Sequence, residues 1–512
     1  GGDEEGYFPG DDNGGSQPGD EAEQIITGKF PAVAYDSNSK MYLIVYKKIT
    51  ESQPEAKGIY GHLMSSNGKL YGKEFVVVQS SNVSNYSPPT IAYDSINKRF
   101  LVVWDEATDG QWNVYGRYIN SKGELIGSIF PIAYSIDRDE IFPSIAFDSV
   151  SGNFLVIYHH QQDNNEMMND LYYRLLESDG TLGKETLIAG GDGNQIGMSV
   201  QFDGKNFAVA YFDQSKWCGT VQRIQVAIEE NSGDPIAVQI GEPIEFNNSF
   251  GGVGIPQLAY NPQIEKYLAV WSNRYEWGDI SNFDISGKMF VKDDSENTDP
   301  EEDYPFYIGV DYLEVEPLLS VAPYGRNFAV AWSEPTEGSG YAIRSSLVTE
   351  YGIDSEPALL EGYFDAVSSL ILCGDNSSDL LLIYEYVSNG LSSIGIKRID
   401  ERVYPRFESD PEVDFVDVNY YGDGNLYLCL QITYSVNQAG RIDYLIAEKN
   451  SINIENTQQF YEITEYLPDG VVIREYIDSD ESLSGIIRLP IKEYFYADKE
   501  YDLYMVMGGL DL

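Results

Sequence analysis

Cysteine, histidine and positive charge are all scarce in this sequence. Only Cys218, Cys373 and Cys429 occur among 512 residues, and an odd number with no C-x-x-C spacing argues against a disulfide framework or a cysteine zinc site. Cys373 in Leu-Ile-Leu-Cys and Cys429 in Tyr-Leu-Cys-Leu sit in apolar runs, where a free thiol packs as a small hydrophobe. The three histidines are His62, His159 and His160, and neither an H-E-x-x-H helix nor a G-x-S-x-G elbow is present. No metal site is expected, and no cofactor. Lys and Arg number 33 against 82 Asp and Glu, a net charge of −49 that repels nucleic acid and anionic lipid alike. No apolar run approaches the ~20 residues a membrane helix needs. Membrane attachment is therefore expected only through a lipid anchor removed with a leader, since the chain opens at Gly1 as a trimmed mature form would.

What is abundant points to strands. Hydrophobic residues make up 42%, with 40 Tyr and 22 Phe, the rings that pack well on a pleated surface. One pattern recurs along the chain. Its clearest copy runs from Pro89-Thr-Ile-Ala-Tyr-Asp94 to Phe100-Leu-Val-Val-Trp104, then Asn113-Val-Tyr-Gly-Arg-Tyr-Ile119, a turn at Gly123, and Ile129-Phe-Pro-Ile132. The opening phrase returns at Pro31–Asp36, Pro143–Asp148, Ser199–Asp203, Pro256–Asn261 and Pro317–Val321, and the second at Tyr42–Tyr46, Phe154–Tyr158, Phe207–Tyr211, Tyr267–Trp271, Phe328–Trp332 and Leu380–Tyr384. Pro31 to Pro89 is 58 residues, Pro89 to Pro143 is 54 and Pro256 to Pro317 is 61, near the ~50 that one four-stranded propeller blade takes.

Short continuous apolar runs read as strands buried on both faces, and the alternating third phrase as a strand with one wet face. Four such strands at a fixed period predict an all-β fold, a seven- or eight-bladed β-propeller of four-stranded blades. Gln24-Ile-Ile-Thr27 stands before Pro31 as Ile129–Ile132 stands before Pro143. It is expected to complete the last blade and close the ring, which removes an exposed sheet edge. The expected divisions are residues 1–23, a flexible acidic tether rich in Gly, Asp and Glu; 24–465, the propeller, with degenerate copies over Phe364–Ile399 and Asp414–Ala447; and 466–512, a β extension or degenerate last blade.

The combination A-Y-D, F-L-V-V-W, x-V-Y-G-R-x-I and a glycine turn resembles the repeats of secreted bacterial β-propeller proteins over roughly Gln24 to Leu360. The acidic spacer resembles that of Bacteroidetes-type surface lipoproteins. Those resemblances imply an extracytoplasmic location, on the cell surface, anchored to the outer membrane, or in the periplasm. They imply no activity, because one fold hosts many functions.

A group needed for chemistry is needed once, so the repeated Asp36, Asp94, Asp148 and Asp203, with Asn261 in the same place, are assigned to hairpin turns, and Trp104, Trp271 and Trp332 to packing. Residues that depart from the repeat lie after the second strand: Trp112, His159, His160, Asp213, Trp217, Tyr275 and Trp277. Aromatic faces beside carboxylates can hold a sugar ring or a cationic protein patch. The acidic runs Asp293–Asp303 and Asp478–Glu481 offer oxygen ligands, and calcium is the cation they would suit, without the EF-hand spacing. The function expected from these features is a monomeric, non-enzymatic binding module for a glycan or protein ligand. A carbohydrate-active hydrolase or lyase is the alternative, and an assembly role the third.

Overall fold

A computed structural model of the chain describes residues 24–49, 58–66, 68–161, 169–228, 235–246, 254–277, 280–291, 306–313, 315–336, 340–349, 352–353, 357–374, 380–388 and 390–399, and further strands between 412 and 507. The expected tether, residues 1–23, and the acidic run 293–303 lie outside the described residues, as do the side chains of Asp478–Glu481.

The protein is an all-β propeller. Blade 1 takes the end of Gln24–Asp36 with Met41–Lys48, Ile59–Ser65 and Leu70–Val78; blade 2 is Thr90–Asp94, Arg99–Thr108, Gln111–Asn120 and Leu125–Ala133; blade 3 is Asp139–Phe147, Phe154–Gln161, Asn169–Leu176 and Thr186–Ala189. Blade 4 is Gln195–Phe202, Phe207–Asp213, Cys218–Ile228 and Pro235–Phe246, and blade 5 is Gln257–Asn261, Lys266–Trp277, Ile280–Val291 and Phe306–Leu313. Blade 6 is Leu319–Tyr324, Asn327–Thr336 and Gly340–Thr349, edged by Gly352–Ile353 and Ala358–Phe364; blade 7 is Ala366–Gly374, Leu380–Ser388 and Leu391–Ile399. Each strand pairs antiparallel with its neighbour in the meander. The second strands are the apolar runs of the repeat, and Phe100 to Trp104 are fully buried because neighbouring blades cover both faces.

Seven apolar clusters fill the seams between consecutive blades. Leu43 and Val45 of blade 1 meet Ile91, Phe100 and Val102 of blade 2, and the same exchange repeats from blade to blade. The last cluster joins Leu381, Ile383, Ile394 and Ile396 of blade 7 to Ile26, Tyr42, Ile44 and Tyr46. Gln24–Thr27 pairs with Ser393–Ile396, while Gly28–Asp36 of the same strand pairs with Met41–Lys48. One strand thus belongs to two sheets.

The hairpin aspartates behave as turn caps. Asp94 is buried, its Oδ1 accepts the N–H of Ile96 at 3.1 Å and of Asn97 at 2.8 Å, and its Oδ2 faces Arg99 Nε at 3.0 Å. Asp36, Asp148 and Asp203 cap their own hairpins in the same way, and Asn261 Oδ1 accepts from Gln263. Asp94→Ala removes the acceptor of two turn N–H groups, and a loss of about 0.5–1.5 kcal/mol is expected in urea denaturation. Asp94→Asn, which keeps the acceptor, should recover most of it. An Asn variant as weak as Ala would show that the Arg99 pair, not the turn, dominates.

Over the degenerate copy expected at Asp414–Ala447, the described strands do not form a four-stranded meander. Glu412–Val418 pairs with Tyr427–Ser435, which pairs with Ser484–Pro490; Gly440–Glu448 pairs with both Val471–Ser479 and Tyr501–Met507. Ile432, Tyr434, Tyr444, Ile446, Ile487 and Leu489 form a core of their own. The division expected at residue 465 therefore falls between paired strands, because strands of one segment find their hydrogen-bond partners in the other.

Candidate functional site

At the end of each blade where the first strand begins and the second strand finishes, the residue after the repeat aromatic varies from blade to blade, with only serine used twice. Lys47, Asp105, His159, Phe212, Ser272, Ser333 and Glu385 occupy this position, and all are buried. Some of them bolt blades together. Asp105 Oδ2 accepts from Phe142 N at 3.2 Å in the next blade, and Glu385 Oε2 accepts from Phe30 N at 2.8 Å across the seam between blades 7 and 1. Phe30 and Phe142 hold equivalent bulges with φ of 52° each, a conformation unusual for a side chain of this size, so the two acids secure strained backbone. Lys47 Nζ donates to the carbonyls of Ser84 and Ser87 in the link to blade 2 and lies 4.8 Å from the Phe30 ring centre. Burial lowers its pKa to about 8.

The same end of blade 3 carries a cluster of different character. Glu140 opens the first strand opposite His160 near the end of the second, and Glu185 stands just before the fourth. Their donor atoms all lie within 4.8 Å of one another. His160 Nδ1 is 3.6 Å from Glu140 Oε1, and its ring packs 4.7 Å from Tyr172. Glu185 accepts from Tyr158 OH at 2.7 Å and from Arg138 Nη2 at 3.0 Å, with Arg174 Nη2 3.8 Å away. The Tyr–Glu bond is part of the repeat, since Tyr46 OH donates to Glu74 at 2.5 Å in blade 1. Glu140 is not part of it. Three residues before the opening proline the chain has Gly28, then Tyr86, then Glu140.

Burial, reinforced by the charge of Glu185, pushes the Glu140 carboxyl up to about 8 against the pull of Arg138 and Arg174. Glu140 is thus shifted toward its protonated form even though Arg138 Nε lies 3.5 Å from its Oε1, and Oε2 has no hydrogen-bond partner among the described residues. Glu185 is held by a phenol and two guanidinium groups, donors that favour a carboxylate. A carboxyl whose proton affinity is raised by burial, standing close to a second carboxyl, is equipment for general acid catalysis. The donor set of two carboxyls and an imidazole is one that divalent cations use, but two arginines already neutralise it.

The residues picked from sequence separate into several environments. His160 joins the Glu140 cluster. His159 points to the other face of the strand, its ring edge-on to Phe142 at 5.7 Å, and burial lowers its pKa to about 4, so it stays neutral. Asp213 is a turn cap: its Oδ1 accepts from Ser215 N at 3.0 Å and Ser215 Oγ at 2.6 Å. Trp112 is half-buried in the hairpin of blade 2, its backbone N–H donating to Asp139 Oδ1 at 2.8 Å. Trp217 is 61% exposed at a turn in blade 4 with φ of 53°. Tyr275 and Trp277 lie on the hairpin of blade 5, and their side chains are outside the described residues. The assignment of the repeat tryptophans to packing agrees with their burial, each indole N–H meeting Glu106, Asn273 or Glu334.

A cavity of about 580 Å³ opens at the opposite end of the blades, lined by Phe202, Asp203, Tyr260, Glu265, Pro323 and Cys373. Its two carboxylates are poor candidates for chemistry, Asp203 being a hairpin cap and Glu265 exposed. The Glu140, His160 and Glu185 cluster lies at the other end.

No family model and no curated protein matches this sequence. Among solved structures, a puromycin hydrolase is 11% identical over 80% of this chain, with a TM-score of 0.43, and this chain spans only 58% of its length. The α-L-arabinofuranosidase Arb93A of Fusarium graminearum is 9% identical over 73% of this chain and 93% of its own, with a TM-score of 0.40. The Dos1 propeller is 10% identical over 73% and 94%, with a TM-score of 0.39. Likeness this loose transfers no activity. The buried pair formed by Glu140 and Glu185, not these likenesses, overturns the expectation of a non-enzymatic binding module. The hydrolase alternative takes its place, argued from this chain's own residues.

Proposed function

We propose that this chain is an extracytoplasmic glycoside hydrolase built on a closed seven-bladed propeller, with Glu140 as the acid and Glu185 as its ionised partner. The observation that carries the reading is a buried carboxyl with its pKa raised to about 8 whose oxygen lies within 4.8 Å of a second, charge-stabilised carboxylate. Glu140 would protonate the departing glycosidic oxygen, and Glu185 would meet the developing positive charge at the sugar's anomeric carbon. The partly exposed Arg138 covers the pair and holds Glu185 in place. Tyr158, whose own hydroxyl stays protonated through burial and the neighbouring Glu185 charge, keeps its hydrogen bond on the carboxylate.

Carboxyl groups only about 5–5.5 Å apart leave no room for a water between sugar and carboxylate, the geometry of retention. Hydrolysis is expected to release product with the anomeric configuration of the substrate, followed by proton NMR within the first minutes of reaction. Inverted product would require another carboxylate pair and remove Glu185 from its role.

A further inference from the structure

We infer that the substrate of this site is an uncharged polysaccharide whose neighbouring sugars rest on three exposed rings, Tyr86, Tyr134 and Phe142; the inference rests on the hydrolase reading of Glu140 and Glu185. The three rings are 79%, 45% and 38% exposed, and all sit on the links and strand beginnings that lead into blades 2 and 3. Phe142 is two residues from Glu140 on the same strand, and Tyr134 lies on the link that brings the chain to Glu140.

Hydrogen bonds hold the backbone at Tyr86 and Phe142 and the hydroxyl of Tyr134. Ser84 N donates to Asp105 O at 3.1 Å and Ser84 Oγ accepts from Tyr86 N at 3.2 Å, while the Asp105 carboxylate holds Phe142 N. Tyr86 and Phe142 are thus tethered to the same buried residue from two consecutive blades. Tyr134 OH donates to Asp109 Oδ2 at 2.8 Å, and Ser135 N beside it donates to Asn113 Oδ1 at 2.6 Å. Backbone already ordered beneath a ring loses little freedom when a ligand arrives.

Phe142 also shows what the repeat alone would have done. The equivalent Phe30 is half-buried under the Lys47 ammonium, whereas Phe142 has the neutral His159 ring at its edge and an open face. Apolar ring faces match the C–H faces of sugars, and hydroxyls at the sugar rim remain free to bond with polar neighbours. The charge of the chain sets the substrate's charge. A net −49 repels a polyanion, and the two guanidinium groups at the site are engaged by Glu185.

The test is retardation of the native protein in gels containing a neutral β-glucan, a neutral arabinan, a neutral galactan or polygalacturonate, alongside reducing-end assays on the same polymers. Retardation by at least one neutral polymer and none by polygalacturonate is expected, weakened about tenfold, the worth of one good contact, in Tyr86→Ala and in Phe142→Asn. Asn suits the left-handed backbone at 142, and a thermal melt of each variant verifies the fold. If a neutral polymer is cleaved, the same variants should raise KM about tenfold. Retardation by polygalacturonate, by none of the four polymers, or equally in variants and parent would overturn the inference. Binding without cleavage would sink the hydrolase reading and leave the aromatic platform standing.

Discussion

Glu140→Gln is expected to lower kcat on a cleaved polysaccharide by about 10²–10⁴-fold, the usual worth of a positioned acid, while the protein folds as before. Gln keeps the volume and can donate a hydrogen bond, but it cannot give up a proton. Glu185→Gln should be equally inactive, yet a leaving group that needs no protonation, such as a nitrophenolate, should restore the first variant and not the second. Equal activity of Glu140→Gln and parent on the polysaccharide would dismiss Glu140 as the acid. The pH response follows from the direction of the shift. Glu140 moves from 4.5 to about 8 on folding, so between those values the folded protein keeps a proton that the unfolded chain releases. Its contribution to stability is complete below about pH 4.5 and declines by roughly 1.4 kcal/mol per pH unit up to about pH 8. Urea melts at pH 5, 7 and 9 should show that decline in the parent and lack it in Glu140→Gln. Activity should fall above about pH 8 as the acid loses its proton.

Ile26→Asp is expected to destabilise the propeller by more than about 4 kcal/mol, the range reserved for an unpaired charge placed in a core. Ile26 is buried with Tyr46, Ile383, Ile394 and Ile396, and it lies on the four residues that pair with Ser393–Ile396. Removing residues 1–27 would strip that pairing as well. It should leave Leu391–Ile399 as an open edge beside uncovered Ile394 and Ile396, and such an edge pairs with other chains. Oligomers in light scattering, together with a lowered urea midpoint, are the expected result for the truncation. A truncated protein that stays monomeric with the parent's midpoint would show that the ring does not depend on this strand for closure.

Much of the scaffold was legible because its causes are local. Turn chemistry put Asp94 and its counterparts into buried caps, and the continuous runs such as Phe100–Trp104 became second strands covered on both sides. Alternation along a strand separated His159 from His160. The eighth copy was misread for a complementary reason: the strand rhythm of 414–447 is real, but rhythm does not say which strand is the partner, and Tyr427–Ser435 pairs with Ser484–Pro490. Among the candidate residues, Asp213 looked distinctive only because its turn is capped after the second strand rather than before it.

The site itself could not be read in advance. Glu140 and Glu185 are two of 82 acids, and the signal that singles out Glu140, its place where earlier copies have Gly28 and Tyr86, acquires meaning only beside a second carboxylate. The sequence by itself determined the class of fold, the strands and their turns, since these depend on neighbours a few residues away. The tertiary structure decided which acid is buried, which carboxylate stands within 4.8 Å of it and which rings stay exposed. Proton affinity depends on desolvation and on charges brought together from 45 residues apart, and packing alone arranges both.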